Sequence, residues 1–156
     1  MNNTVNKTLY PIGLLIHLVN QFKDSLLNDY FADSDITAPQ FKVLMSIYKG
    51  FTSPVDVSKN VMMDGGALSR MLERMVKREL ILRLPHPSDK RQVILALTEK
   101  GQAICQHFEQ EGMRIVLAQT TERLTHQEAE QLMRLLTKML PDDVIARHSP
   151  HLTSPQ

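Results

Sequence analysis

In the segment GGALSRMLERMVKR, Ser69, Arg70 and Arg74 recur with Gly66, Glu73 and Lys77 on one side of a helical period, and Leu68, Met71, Leu72, Met75 and Val76 recur on the other. Further on, LPHPSDKRQVILALT sets Asp89, Lys90 and Arg91 in succession in a loop stiffened by Pro85 and Pro87. Guanidinium groups fixed on a helix face and at the end of a stiff loop suit one chemistry above others, the bidentate hydrogen bonding of phosphates and base edges. Catalysis has no comparable support. The chain holds no Gly-x-Ser-x-Gly elbow and no phosphate-binding loop ending in Lys and Ser or Thr. His17 shares the polar side of its helix with Gly13, Asn20 and Asp24, Cys105 and His107 lie two apart and do not face each other, and nothing implies a metal or a cofactor. A lone cysteine also excludes an internal disulfide framework.

The distribution of charge agrees with the residue types. Net charge is only +1, but the stretch from Gly65 to Arg91 carries seven Lys or Arg against three acids, a local +4 that leaves −3 for the remainder. A basic segment on a slightly acidic body is what a protein needs to meet a polyanion with one face. With 42% hydrophobic and 22% charged residues the composition is that of a globular protein, and no apolar run approaches the roughly 18 residues of a membrane span. Without a signal-peptide cleavage pattern, a cytoplasmic location is expected.

These residues need elements to hold them. PIGLLIHLVNQFKDSLLNDY spaces Ile12, Leu15, Ile16, Val19, Phe22, Leu26 and Tyr30 as a long amphipathic helix. Thr37 and Gln40 form a capping box for a second helix that Gly50 stops. Ser53 as cap, Pro54 at the first helical position and Asp56 in the first turn start a short third helix. After a turn at Met63 and Asp64 the basic fourth helix follows. Two short strands then alternate with period two, Leu80, Leu82 and Leu84 on one face before the turn, and Val93, Leu95 and Leu97 after it. Thr98 is placed to cap a helix reaching about Thr121, and THQEAEQLMRLLTKML supplies another that Pro141 ends. The tail at 141–156, with its prolines and few apolar residues, is expected to be mobile.

Three compact helices followed by a hairpin make a winged helix-turn-helix, so the fold is mainly α with a small β-hairpin wing. Residues 36–97 form that domain, and 8–31 and 98–140 supply helices on either side. In this arrangement the helix after the turn enters the major groove, and Ser69, Arg70 and Arg74 reach base edges. Gly65 and Gly66 allow close approach of a phosphate to the helix start, and Ser53 contacts the backbone in the same way. Arg91 at the wing tip inserts into the adjacent minor groove, Lys90 adds a phosphate contact, and Asp89 accepts from the Arg91 guanidinium and aims it. Taken alone, the basic helix is more often a core helix with a solvated face, and the Asp89/Arg91 pair more often a turn stabilised by an Asp side chain. Their occurrence together favours recognition of double-stranded DNA. The competing reading is a winged-helix module that binds protein and does not read DNA.

The stretches IHLVNQFKDSLLNDY, DITAPQFKVLMSI, GALSRMLERMV and LPHPSDKRQVILALTEKGQAIC closely resemble the MarR family of bacterial transcriptional regulators across residues 10 to 140; the wing D-x-R followed by L-T-x-x-G is the most family-specific match. The resemblance implies a homodimeric repressor of efflux or stress-resistance genes and of its own expression. It implies palindromic operators, dimerisation through the N- and C-terminal helices, and release by small phenolic or anionic aromatic effectors. It places Gln40, Ser69, Arg70, Arg74, Arg83 and Arg91 at DNA-facing positions. Ile12, Ile16 and Val19, with Leu132, Leu135, Leu136 and Met139, are the expected dimer core. Met71 as an apolar wall and Arg83 as a cation, with Pro54 and Ser69 at the rim, are the expected effector site. Departures from the family pattern are Ser69 in place of a threonine, Lys77 in place of a cysteine, and a longer C-terminal tail.

Overall fold

The structure, a computed structural model, describes the backbone of residues 3–152 and the side chains of residues 11–148. The order of elements is α1 (Asn3–Tyr30), a single 3-10 turn, α2 (Ala38–Tyr48), α3 (Pro54–Val61), α4 (Gly65–Lys77), β1 (Ile81–Pro85), β2 (Val93–Leu97), α5 (Glu99–His107), α6 (Met113–Thr120), α7 (His126–Met139) and α8 (Asp142–Leu152). The starts of these helices follow from the caps. Thr37 and Gln40 exchange both bonds of the capping box, Ser53 accepts from the Asp56 N–H ahead of Pro54, and Thr98 accepts from the Gly101 N–H.

The chain divides into two compact units, residues 1–120 and 121–156. In the first, Val43, Leu44 and Ile47 of α2, Val57 of α3, and Leu68, Leu72 and Met75 of α4 pack with Leu80, Ile81, Leu95 and Cys105 as one buried core. A second cluster joins Leu27 and Phe31 to Ile36, Ala38, Phe41, Phe108 and Val116. Its aromatic rings stack and tilt, with Phe41 and Phe108 centroids 4.4 Å apart. The division falls after α6 and not between the wing and α5, because α5 is built into the winged helix. The Thr98 hydroxyl donates to the carbonyls of Glu79 (2.6 Å) and Leu80 (3.1 Å), and a Cβ on Gly101 would collide with the Leu80 carbonyl. That is the physical content of L-T-x-x-G: a threonine that ties the end of α4 to the start of α5, and a glycine that lets the two backbones touch.

The wing pairs antiparallel with Ile81 opposite Leu97, Arg83 opposite Leu95 and Pro85 opposite Val93. Partners share a face, so Val93, Leu95 and Leu97 lie with Ile81 and Arg83, while Leu82 and Leu84 point the other way and stay exposed. Leu82 and Leu84 therefore lie on the face opposite Val93, Leu95 and Leu97, and do not join them in one apolar side. Glu79 is left-handed (φ +56°), so Leu80 is buried before the strand begins and the alternation restarts at Ile81. The helix after Thr98 also differs from expectation in carrying a π turn over Phe108–Gly112.

The second unit holds α7 and α8. Thr125 and Glu128 form a capping box at the start of α7, and the bonds from Thr125 hold the Glu128 carboxyl below its ordinary range. Where the sequence suggests a mobile tail, the backbone forms α8. Pro141 stands just ahead of its first turn, where a missing N–H costs nothing, its carbonyl accepts from Val144 and Ile145, and Asp143 pairs with Arg147 one turn on. Residues 153–156 of that tail lie outside the described residues.

Candidate nucleic-acid interface

Helix α4 is amphipathic in the sense required. Leu68, Leu72 and Met75 are buried, whereas Ser69, Arg70, Glu73, Arg74 and Lys77 are exposed. Asp64 caps the helix by accepting from the Ala67 N–H at 2.9 Å. A Cβ on Gly66 would sit 3.3 Å from the Asp64 carboxylate and 3.6 Å from the Arg70 guanidinium, so the arginine lies back over the helix start beside this glycine, while Gly65 faces open space. The cap takes one of the N–H groups the sequence leaves free and adds a negative charge there. Ser53 is similarly committed: its hydroxyl accepts from the Asp56 N–H (3.1 Å) and donates to the Asp56 carboxylate (2.7 Å). A phosphate at either site must displace or share these bonds.

The wing is bound to α4 through Arg83, whose guanidinium donates to the Ser69 carbonyl at 3.3 Å. Its loop is ordered by bonds of its own. The Asp89 carboxylate accepts from the Arg91 backbone N–H (3.0 Å) and the Gln92 side-chain amide (3.2 Å). The sequence suggests that Asp89 grips the Arg91 guanidinium; it holds the Arg91 backbone instead, and among the described residues no ion pair joins the two side chains. Arg91 and Lys90 are exposed. Gln40 is half-buried, with its carbonyl oxygen used by the Thr37 N–H (3.0 Å) and by Arg78 (3.5 Å), so only its amide N–H groups remain free to donate outward.

Behind this face, Pro54, Val55, Ser58 and Lys59 of α3, Gly65, Leu68, Ser69 and Leu72 of α4, and Arg83 and Val93 of the wing line a cavity of about 410 Å³. It brings Pro54, Ser69 and Arg83 together as anticipated. Met71 is not in its wall. One residue around the helix from Leu72, it packs against the buried core, and Leu68 and Leu72 supply the apolar wall. Lys59, a second cation, was missed; its signal was the helical spacing that puts it on the side of α3 carrying Val55 and Ser58. A separate cavity of about 510 Å³ between α1, α2 and α6, with Lys23, Lys42 and Lys49 among its lining, had no signature in the sequence. Burial first, then the neighbouring Lys42, lowers the Lys23 amine below its usual range.

The expected dimer residues sit on two stripes described separately. Ile12, Ile16 and Val19 are exposed on α1, and Leu132, Leu135, Leu136 and Met139 are exposed on α7, where nothing is buried.

Residues 36–93, which include α2, α3, α4 and the start of β2, match the MarR family model. The multiple antibiotic resistance protein MarR of Salmonella typhimurium is 46% identical over 134 residues, 85% of this chain and 93% of that protein. A crystal structure of a cysteine-to-serine mutant of E. coli MarR complexed with operator DNA superposes with a TM-score of 0.76 at 45% identity, covering 90% of this chain and all of that one. A structure explaining how 6-hydroxynicotinic acid regulates DNA binding by BpsR of Bordetella bronchiseptica is more distant, at 28% identity and a TM-score of 0.71 over 82% of this chain and 97% of that one. Identity of this extent runs through α1 and α5 as well as the head, and the tie between Thr98, Gly101 and Leu80 gives the shared motif its structural reason. The chain belongs to the MarR family of transcriptional regulators.

Proposed function

We propose that the protein is a cytoplasmic, homodimeric repressor that binds palindromic operators and is released by a small aromatic effector. One observation carries the reading: the exposed row Ser69, Arg70 and Arg74 is held by the Arg83–Ser69 bond beside a hairpin whose tip presents Arg91. Such a head puts a helix in the major groove and an arginine toward the minor groove, with Lys90 and the start of α4 at Gly66 on the phosphates. Ser53 and Gln40 stand at the margin of this face and add backbone contacts once their present bonds are shared. The likeness to an operator-bound relative supports the same use here.

One head reads few bases, so selection of a genomic site calls for two related by a two-fold axis, with half-site centres about 10 bp apart or a multiple of that. The bare stripes of α1 and α7 supply the apolar area for such a dimer. By relation to the antibiotic-resistance regulators, its targets are efflux or stress-resistance genes and its own gene.

The cavity behind α4 is the effector site in this reading. At about 410 Å³ it is of ligand size, apolar through Leu68 and Leu72 and cationic through Lys59 and Arg83, which suits an aromatic carboxylate or phenol. A ligand wedged between α3, α4 and the wing moves the recognition helix relative to the tip, and a coupling of about 1–3 kcal/mol lowers operator affinity roughly 5- to 150-fold. The BpsR precedent supports the ligand class.

The competing protein-interaction reading has one observation in its favour, the exposed Leu82 and Leu84 on the outer face of the wing. Binding of genomic fragments across a salt series separates the two. The DNA reading expects selective binding whose affinity falls steeply with salt; absence of any selected fragment removes it.

A further inference from the structure

The loop that carries Arg91 is organised around an imidazole. Three groups converge on His86 Nδ1: the backbone N–H of Ser88 at 3.2 Å, the backbone N–H of Asp89 at 3.3 Å, and the Ser88 hydroxyl at 3.1 Å. A backbone N–H can only donate, so Nδ1 must present its lone pair, and the ring proton sits on Nε2. The same residue closes the loop by donating its own N–H to the Gln92 carbonyl at 3.0 Å. Asp89, once held by the ring, spends its carboxylate on the Arg91 N–H and the Gln92 amide and its carbonyl on the Gln92 N–H at 2.9 Å. The chain of bonds thus runs from the ring to Asp89 and from Asp89 to the backbone of Arg91.

We propose that His86 is a positioning residue for Arg91, and that its neutral ring, by accepting the Ser88 and Asp89 N–H groups, makes the wing tip and hence operator affinity fall off in mild acid. The affinity part rests on the DNA-binding reading above; the ordering of the loop does not.

A doubly protonated imidazole has two donors and no acceptor, so it faces the Ser88 and Asp89 N–H groups donor to donor and must swing away. Histidines change charge between about pH 5 and 8, within reach of cellular acidification. Among the described residues no carboxylate is placed to hold the protonated ring where the neutral ring sits. In the loop, the Asp89 carboxylate is committed elsewhere, and Lys90 and Arg91 add positive charge. Of the elements packed against the hairpin, β1 brings Arg83, turned to Ser69; β2 holds no titratable residue; α3 brings Asp56, bound to Ser53, and Lys59; α4 brings its basic row with Glu73; α2 brings Lys42, paired with Asp24, and Tyr48, bonded to Glu109; α5 brings Glu99, Lys100, the buried Cys105 and, at its far end, His107. Among the described residues no carboxylate lies within ion-pair distance of the His86 ring.

The test uses the free protein first. Amide exchange of Ser88 and Asp89, followed by NMR between pH 7.5 and 5.5 with the ring nitrogen shifts of His86, is expected to show protection lost as the ring gains its second proton. His86→Asn, whose Oδ1 can take the place of Nδ1 without titrating, keeps protection throughout the range, and His86→Ala lacks it at every pH. In operator titrations the wild type is expected to lose roughly 2- to 10-fold in affinity relative to His86→Asn over that interval, the worth of one or so hydrogen bonds. Amides that ignore both pH and His86→Ala overturn the proposal and leave the DNA reading intact. A wild-type affinity that holds or rises against His86→Asn as the pH drops overturns its operator step, since imidazolium attraction for phosphate would then outweigh loop order. Responsive amides in a protein that binds no fragment at any pH overturn that step together with the DNA reading.

Discussion

Leu44, Leu68, Leu72 and Met75 in the winged-helix head are at most 1% exposed, whereas Leu132, Leu135 and Leu136 of α7 are each more than 40% exposed. Both regions are amphipathic helices with leucine on one side, so sequence pattern does not distinguish them. The difference is that the head contains the partners for its apolar residues within about sixty positions of chain, and α7, like the exposed part of α1, does not. A helix that keeps its apolar stripe bare in a single chain is made to be covered by something else. In the proposed dimer the head specifies a surface, and the arms specify how many such surfaces act together.

The contrast breaks most sharply at Leu136. Leu136→Glu is expected to give monomers whose heads keep their helical circular dichroism and whose operator affinity falls by on the order of 100-fold or more, the cost of uncoupling two linked sites. Sedimentation and titration of a palindromic fragment check both halves. A wild-type protein that is a stable monomer and still protects two half-sites would dissolve the distinction between head and arm.

Within the head, Leu72→Ala removes a fully buried side chain and is expected to cost about 2–5 kcal/mol of stability. The comparison sharpens if this loss, read from urea unfolding, is the same at low and high protein concentration while that of Leu132→Ala grows on dilution. Equal concentration dependence would mean that the head too is stabilised by assembly.

On the head's surface the effects are smaller and differ in kind. Arg70→Ala is expected to cost about 1–3 kcal/mol of operator binding and to relax preference at one position in each half-site. Lys90→Ala lowers affinity evenly across sequences and reduces the salt slope by about one, and Arg91→Ala weakens the preference for A/T steps in the flanks. Three variants with wild-type affinity across a salt series would remove the proposed surface. For the cavity, the useful quantity is the ratio of operator affinities with and without a salicylate-like compound. Arg83→Ala is expected to bring that ratio toward one; an unchanged ratio moves the effector to another site, with the lysine-lined cavity of α1, α2 and α6 the first to examine.

The helix starts were legible because caps are local: Thr37 with Gln40, Ser53 with Pro54, and Thr98 each solve the same problem of unpaired N–H groups within one turn. The recognition row was legible from helical period. What depended on one residue's backbone or on a distant neighbour was not. The left-handed Glu79 resets the wing's alternation, which no hydrophobic pattern reports. The π turn occurs where Gly112 lets Phe108 and Tyr30 close in; a Cβ there would sit 2.7 Å from the Tyr30 ring and collide with Phe108. Its adaptable apolar side chain suggests Met71 for the effector wall, yet one helical step turns it to the core. Asp89 was expected to grip a guanidinium and grips a backbone N–H, a choice made by the turn around His86.

The smallest expected effect on operator binding lies in the interior of the head. Cys105 is fully buried in the core with Leu80 and Leu95, and burial first, then the nearby Glu109, pushes its thiol up to about 12. Only a thiolate attacks disulfide reagents or peroxide at a useful rate, so the native protein offers almost none at neutral pH. The family resemblance implies a cysteine in the recognition helix where Lys77 stands, so no thiol takes that place here. Mild peroxide is therefore expected to leave operator affinity unchanged, and a colorimetric disulfide reagent to titrate one thiol only as the chain unfolds. The same burial sets an alkaline limit. Because the fold favours the neutral thiol, its contribution is intact below the unfolded-chain value near about 8.5 and is lost as pH climbs toward 12, at about 1.4 kcal/mol per pH unit. Cys105→Ala should lack that component of alkaline destabilisation while binding operator normally at pH 7. Rapid labelling of the native wild type at pH 7, or a loss of operator binding under peroxide that Cys105→Ala abolishes, would show that the head's core opens far more readily than its packing implies.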